Sequence, residues 1–103
     1  MTAFQRLKEL IDVFFAKALT PENTEDFCNT YMDLFDDLAP ELEKEVDEEL
    51  YYIFDDVKWA CDSYEKIEAI REEYKCYLDE EGLREEVSLL RKKLNESMER
   101  HGE

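Results

Sequence analysis

The chain has 103 residues, of which 29 are acidic and 13 basic, so its formal net charge is −16. This charge argues against direct binding to DNA or RNA, because phosphates are neutralised by Lys and Arg and would repel an acidic protein. A hydrophobic content of 44% favours one folded domain over disorder, and two glycines and two prolines are too few for the many turns of a β-sandwich or barrel. The composition therefore predicts an all-α fold.

The N-terminal part of the chain predicts two helices. Apolar residues recur at spacings of three and four, which indicates a first helix from about Thr2 to Leu19. The segment Thr20-Pro21-Glu22-Asn23 is expected to break it. A second helix, capped by Asn23 or Thr24, is expected to end at Ala39-Pro40.

The rest of the chain predicts two more helices and a connection. Pro40 is expected in the first turn of the third and longest helix, whose apolar side runs to Tyr64. Residues 65–78 are expected to form a long connection with one helical turn, whose tyrosines pack on the bundle. Asp79 is expected to cap the final helix, and residues 97–103 to form a frayed tail. Four amphipathic helices can bury their apolar faces only against each other, so residues 1–96 predict a single antiparallel four-helix bundle.

The negative charge is concentrated in the middle of the chain. Residues 24–64 hold fourteen acidic and two basic side chains, whereas residues 1–23 and 83–103 are each neutral. A charged helix face is most often a solvated surface with no partner. The alternative is that this charge attracts a basic partner and steers it during association.

The third predicted helix places aromatic residues among these carboxylates. At about 100° per residue, Tyr52, Asp55, Asp56, Trp59 and Asp62 cluster opposite the apolar side. Trp and Tyr anchor many protein interfaces and accept Arg or Lys through cation–π contacts, so this combination indicates a binding surface. In the alternative interpretation, the connection of residues 65–78 covers Trp59 and Tyr52.

Acidic residues of the second predicted helix could extend that surface. Asp26, Asp33 and Asp37 share one flank of this helix, away from its apolar stripe. Adjacent carboxylates repel one another, and a basic partner would relieve that repulsion. The combined surface would present carboxylates to a basic cleft much as a nucleic acid presents phosphates.

Residues that carry catalysis or bind metals are scarce. The one histidine is His101, and Cys28, Cys61 and Cys76 lack CxxC spacing and a neighbouring histidine. We therefore expect reduced thiols and a non-enzymatic protein without metal or cofactor. The sequence has no apolar run of about 18 residues and begins with a charged amphipathic segment, so we expect a cytoplasmic protein that does not enter membranes.

Several segments occur in an order that is typical of one known family. A first helix closed by Leu19-Thr20-Pro21-Glu22 precedes Phe27 and Tyr31, and an acidic helix then ends near Tyr64. The final helix opens with Leu78–Val87, which contains an acidic pair, a short spacer, Leu and Val. In this order of features the chain resembles the colicin D-like immunity proteins.

The resemblance implies a small helical bundle that binds the C-terminal nuclease domain of a bacteriocin or contact-dependent inhibition toxin, a tRNA-cleaving ribonuclease. It implies that acidic side chains occupy the basic tRNA-binding cleft and active site, and thereby protect the producing cell. Carried onto this sequence, it implicates Asp55, Asp56 and Asp62, followed by Glu65 and Glu68.

The leading hypothesis is therefore an immunity protein, monomeric when free, that binds one toxin nuclease with 1:1 stoichiometry. Its predicted partner-binding residues are Asp33, Asp36, Asp37, Tyr52, Asp55, Asp56, Trp59, Asp62, Glu65 and Glu68. A second hypothesis is an acidic helical adaptor or homodimeric scaffold that pairs through Tyr51, Tyr52 and Trp59. A third is a DNA mimic that inhibits a DNA-binding protein.

Overall fold

The computed structural model describes residues 1–74 and 77–101, and within them it contains five α-helices. About 83% of the described residues are helical, which confirms the prediction of an all-α fold. The helices are α1 (Ala3–Ala16), α2 (Pro21–Glu45), α3 (Glu48–Asp62), α4 (Glu68–Glu73) and α5 (Glu80–His101). In space, α1 packs on α2, α2 on α3 and α3 on α5.

The first helix is shorter than predicted at both ends. Thr2 is its N-cap. The Thr2 hydroxyl accepts a hydrogen bond from the backbone N–H of Gln5, and the side-chain oxygen of Gln5 accepts one from the backbone N–H of Thr2. The helix ends at Ala16, because the backbone of Lys17 is extended. Residues 17–20 then connect it to the second helix, and the last of them is the N-cap of that helix. That cap is Thr20, whose hydroxyl accepts from the N–H of Asn23, so the predicted caps Asn23 and Thr24 were wrong.

The second helix continues through Pro40 to Glu45, so the predicted boundary at Ala39-Pro40 was wrong. Pro40 is exposed, and its missing N–H costs one hydrogen bond to the preceding turn. Leu38 and Leu42 on either side are buried in the core, and their burial outweighs that loss. As a result α2, not α3, is the longest helix.

The third helix consequently begins at Glu48 and not near Pro40. Asp47 is its N-cap, with the carboxylate accepting from the N–H of Leu50 at 2.9 Å. Only Val46 and Asp47 separate α2 from α3. The chain therefore reverses direction at a position where the apolar pattern alone suggested a continuous helix.

The core is formed by apolar side chains from the four longer helices. At its centre the buried Tyr31 hydroxyl donates to the backbone carbonyl of Phe54 at 2.8 Å, which joins α2 to α3. Phe14 of α1 stacks on Phe27 of α2 with ring centroids 4.3 Å apart. These aromatic contacts fix how the first three helices pack together.

Two arginines of α5 join this helix to α1. Arg84 donates to the backbone carbonyl of Phe15 at 2.9 Å, and its guanidinium carbon lies 5.1 Å from the centroid of the Phe15 ring. Arg91 lies 4.8 Å from the same ring and forms a 2.9 Å ion pair with Asp12. Partial burial acts to raise the pKa of Asp12, but Lys8 and Arg91 outweigh it and lower that pKa.

The final helix extends beyond Glu96 to His101, so the predicted frayed tail from residue 97 was wrong over its first part. The hydroxyl of Ser97 is buried and donates to the Glu49 carboxylate at 2.9 Å. Arg100 pairs with the same carboxylate at 2.8 Å. These contacts with α3 hold the last turns of α5.

The connection between α3 and α5 contains α4, which is the helical turn that the sequence predicted. The two ends of this connection are held together by Leu78, whose backbone N–H donates to the backbone carbonyl of Ser63 at 2.7 Å. Tyr74 and Tyr77 pack edge-on against each other and stay 54% and 38% exposed. The expectation that these tyrosines pack on the bundle was therefore wrong, because they pack on one another.

We predict that Pro40→Ala stabilises the protein by about 1–3 kcal/mol, because alanine restores an N–H donor inside α2. Urea denaturation followed by circular dichroism measures the change, with Glu41→Ala, an exposed neighbour, as the control. A loss of stability in Pro40→Ala would instead indicate a helix that begins at Pro40, where proline is favourable.

We predict that Asp12→Asn lowers stability at pH 7 but not in acid. Because the folded state lowers the pKa of Asp12, its contribution is complete above the unfolded-state pKa of about 4 and is lost as pH falls through the folded-state pKa. Denaturation of both proteins from pH 7 to pH 2 should show the difference shrinking below about pH 4. Glu9→Gln on the same helix controls for the change in net charge, and a pH-independent difference would contradict the prediction.

Candidate protein-binding surface

The outward side of α3 carries two exposed aromatic side chains. Trp59 is 61% exposed and Tyr52 is 53% exposed. The described residues of the connection, 65–74 and 77–78, therefore leave both rings uncovered, and the alternative in which the connection buries them was wrong. Aromatic rings left in water contribute nothing to folding by burial, whereas Trp and Tyr are enriched where proteins bind one another.

The packing of α3 determines which of its residues face solvent. Its apolar side is buried between α2 and α5, with Phe54 and Val57 at its centre. Asp56 and Asp62 are exposed on the remaining surface, and Asp55 is half-buried. Carboxylates and aromatic rings thus share one side of a single helix, as the sequence predicted.

Lys58 joins this surface to α2. Its ammonium group forms a 3.0 Å ion pair with Asp36 and lies 5.9 Å from the centroid of the Phe35 ring. The hydrogen bond and charge of Asp36 raise the pKa of Lys58, and the charges of Asp55 and Asp62 raise it further. A cation placed here therefore experiences the combined field of carboxylates from two helices.

The α2 aspartates in the predicted partner-binding set do not form one group. Asp36 contacts α3 through Lys58, whereas Asp33 and Asp37 are exposed at helical angles of about 60° and 100° from Asp36. These two point away from the contact with α3. They belong to the outer side of α2 and extend the negative surface around the molecule.

The two predicted glutamates after α3 differ in their surroundings. Glu65 is half-buried, and its carboxylate accepts from the N–H of Ile67 at 3.2 Å. Its backbone carbonyl accepts from Arg71 at 2.6 Å, so this residue organises the start of the connection. Glu68 is exposed in the first turn of α4. Lys66 links the same segment to Glu25 of α2 at 3.1 Å.

Trp59 also borders a shallow groove between α3 and α5 that the sequence did not reveal. Its lining residues are Asp56, Trp59, Ala60, Ser63, Leu78, Glu86, Leu90 and Lys93. Leu89, one residue before the groove-lining Leu90, is 55% exposed on α5. Leu89 lies outside the regular apolar stripe of this helix, which includes Leu90.

Some acidic residues of the middle region have structural roles. The Glu45 carboxylate accepts from the N–H groups of Ala3 and Phe4 at 3.2 and 3.0 Å, and thereby caps α1 from the far end of α2. Asp47 caps α3 and Glu49 binds α5. The negative charge therefore serves folding near the α2–α3 turn as well as the exposed surface.

The thiols of Cys28 and Cys61 are buried on the facing sides of α2 and α3. The hydrogen bond with Cys28, together with burial, raises the pKa of Cys61 and keeps it protonated at neutral pH. Cys76 lies outside the described residues.

Over the part of the chain that the structure describes, no cluster of three or more His, Cys, Asp or Glu side chains could hold a metal ion. Within the same residues, no helix combines the length and apolar character needed to cross a bilayer.

Comparisons with protein-family models, with curated proteins and with solved structures found no match for this chain. The resemblance to the colicin D-like immunity proteins therefore remains a prediction from the order of sequence features.

We predict that Trp59, the single tryptophan, reports the negative field of this surface. Relative to N-acetyltryptophanamide, iodide should quench its fluorescence several-fold less efficiently and caesium more efficiently, because the nearby carboxylates repel anions and attract cations. The difference should disappear in 1 M KCl, where the Debye length is about 3 Å. An Asp55→Asn, Asp56→Asn double variant should show a smaller difference, and equal quenching of the native protein by both ions would contradict the prediction.

Proposed function

We propose that this chain is a non-catalytic immunity protein that binds and inhibits the tRNA-cleaving nuclease domain of a bacterial toxin. The observation that carries the proposal is the exposure of Trp59 and Tyr52 among the carboxylates of α3. A surface that only improved solubility would need the charges but not the aromatic rings. A surface that binds a basic protein uses both.

In this proposal the four longer helices form an antiparallel bundle of the colicin D immunity type, with α4 as an addition between the third and fourth. The two-residue link between α2 and α3 supports an antiparallel pair. The protein would act in the cytoplasm of the producing cell, as a monomer that forms a 1:1 complex.

The mechanism follows from charge. A nuclease that binds tRNA needs a cleft rich in Lys and Arg, because the RNA backbone carries one negative charge per nucleotide. The carboxylates of Asp55, Asp56 and Asp62 would occupy that cleft in place of phosphates. Asp36, Glu65 and Glu68 would widen the contact, and the complementary fields would accelerate association.

The aromatic residues supply what charge alone does not. Exposed ion pairs contribute little affinity, because water and salt screen them. Trp59 and Tyr52 would pack against the nuclease, exclude water and strengthen the neighbouring ion pairs. Inhibition would then result from occlusion of the RNA-binding cleft.

Affinity capture from cells that produce the protein tests the proposal directly. Tagged protein is recovered at low salt, any stoichiometric basic partner is identified by mass spectrometry, and its cleavage of tRNA is measured with and without this chain. Cleavage that stops at one equivalent supports the proposal. A self-dimer would favour the scaffold, and a DNA-binding partner without ribonuclease activity would favour DNA mimicry.

We predict that the double reversal Asp55→Lys, Asp56→Lys weakens binding to that nuclease by about two orders of magnitude or more, because it places like charges in the interface. The matched control is Glu85→Lys, Glu96→Lys, which makes the same charge change at exposed positions of α5. Binding is measured by surface plasmon resonance at two salt concentrations, and circular dichroism verifies the fold. Equal losses in both variants would show that net charge alone, not the α3 surface, determines affinity.

A further inference from the structure

The turn between α2 and α3 creates a pocket that the sequence pattern did not reveal. Val46 and Asp47 are both extended, and they turn the chain sharply between the two helices. The last turn of α2, the link and the first two turns of α3 line a solvent-open cavity of about 340 Å³. Its lining residues are Glu43, Val46, Asp47, Glu48, Tyr51 and Tyr52.

Two tyrosine rings form the aromatic part of this pocket. The rings of Tyr51 and Tyr52 have centroids 5.9 Å apart and planes at 77° to each other. Tyr51 is half-buried and packs on Phe35, 5.9 Å away between ring centroids, which holds it in place. The ring of Tyr51 is therefore held by packing and the ring of Tyr52 beside it is exposed. Because their planes are nearly perpendicular, their π faces point in different directions.

Carboxylates form the polar part of the pocket. Glu43 and Glu48 are exposed at its rim, while Asp47 is engaged as the N-cap of α3. The end of α2 and the start of α3 meet here, so the partial negative charge of one helix end offsets the partial positive charge of the other. The acidic side chains therefore dominate the local field. Consistent with this, burial raises the pKa of Tyr51, and the charges of Asp55 and Glu43 raise it further.

Rings and carboxylates together select an organic cation. A hard metal ion such as Ca²⁺ requires six to eight oxygen ligands, mostly from carboxylates and carbonyls, and the aromatic walls supply only two neutral phenol oxygens. A guanidinium group is planar, stacks on a tyrosine ring and can donate two parallel hydrogen bonds to one carboxylate. An ammonium group forms a point contact and is more strongly hydrated, so it gains less from this arrangement.

We infer that this pocket binds the guanidinium group of an arginine side chain presented by a protein partner, with Tyr52 stacking on the group and Glu43 and Glu48 accepting its hydrogen bonds. The identity of that partner as a basic nuclease rests on the proposed function. The chemistry of the pocket does not, since it can be tested with a free arginine derivative.

The pocket lies at the end of α3 opposite to Asp62. The acidic residues Asp55 and Asp56 lie between it and Trp59 along the helix, so an extended basic surface could contact both sites. The arginine would then fix the register of the partner along α3, whereas the more central carboxylates would contribute mainly to association rate.

The test is a titration of ¹⁵N-labelled protein with N-acetyl-L-arginine amide, followed by NMR. N-acetyl-L-citrulline amide is the control ligand, because it has nearly the same shape with a neutral urea group. We expect arginine to shift the amide signals of residues 43–52 selectively, and citrulline to bind at least fivefold more weakly. The lysine derivative should also bind more weakly than arginine.

Variants of the pocket sharpen the test. Glu43→Gln, Glu48→Gln and, separately, Tyr52→Leu should each weaken arginine binding at least fivefold, whereas Tyr52→Phe should retain it. The matched control is Asp33→Asn, Asp37→Asn, which removes the same two charges from the outer side of α2 and should change binding less than twofold. Dispersed NMR spectra verify that each variant is folded.

Three outcomes would overturn the inference. Citrulline or lysine binding as tightly as arginine would exclude guanidinium recognition. Equal weakening in the Asp33, Asp37 variant would indicate a diffuse electrostatic effect. Signal changes spread evenly along α2 and α3 would indicate the same. In any of these cases, affinity capture could still demonstrate the proposed nuclease complex. Conversely, if the pocket binds arginine but no nuclease is captured, this inference stands and only the proposed function fails.

Discussion

The burial of one side of α3 between α2 and α5 is the constraint on which the rest of the structure depends. Phe54 and Val57 are 0% and 1% exposed, and the Phe54 carbonyl accepts the buried hydroxyl of Tyr31. Burial of such side chains stabilises a fold by about 1.5–3 kcal/mol each, so α3 cannot rotate about its axis without a large loss. Because its inner side is fixed, the opposite side must present Tyr52, Trp59 and their neighbouring carboxylates to solvent.

The acidic residues divide into those that support the fold and those that do not. Glu45, Asp47 and Glu49 accept hydrogen bonds from helix ends or from α5, which stabilises the turn between α2 and α3. Asp36, Asp55 and Asp62 instead form a negative field that Lys58 neutralises only in part. Concentrated like charge disfavours the free folded state, and a basic partner would remove that cost on binding. This difference supports a binding role for the outer side of α3 in particular.

The sequence predicted α1, α4 and α5 more accurately than the boundary between α2 and α3. The apolar stripes of α1 and α5 stand alone, so their 3.6-residue period identifies them. Around Pro40 two signals conflicted, since proline suggests a helix start while Leu38 and Leu42 suggest continuity. Both leucines are buried in the tertiary structure, and their burial favours one continuous helix over a break at Pro40. The pocket at Tyr51 and Tyr52 could not be predicted, because it exists only if the chain reverses at Val46 and Asp47.

The sequence by itself determined the helical class, the location of the charge and the side of α3 that carries aromatic rings among carboxylates. These properties depend on composition and on angular position around one helix, which are local. The tertiary structure alone decided that Asp36 contacts α3 while Asp33 and Asp37 do not, that Arg84 joins α5 to α1, and that Ser97 remains helical and buried. A periodic pattern identifies the buried side of a helix, but only the packing of distant segments determines which helix lies against it.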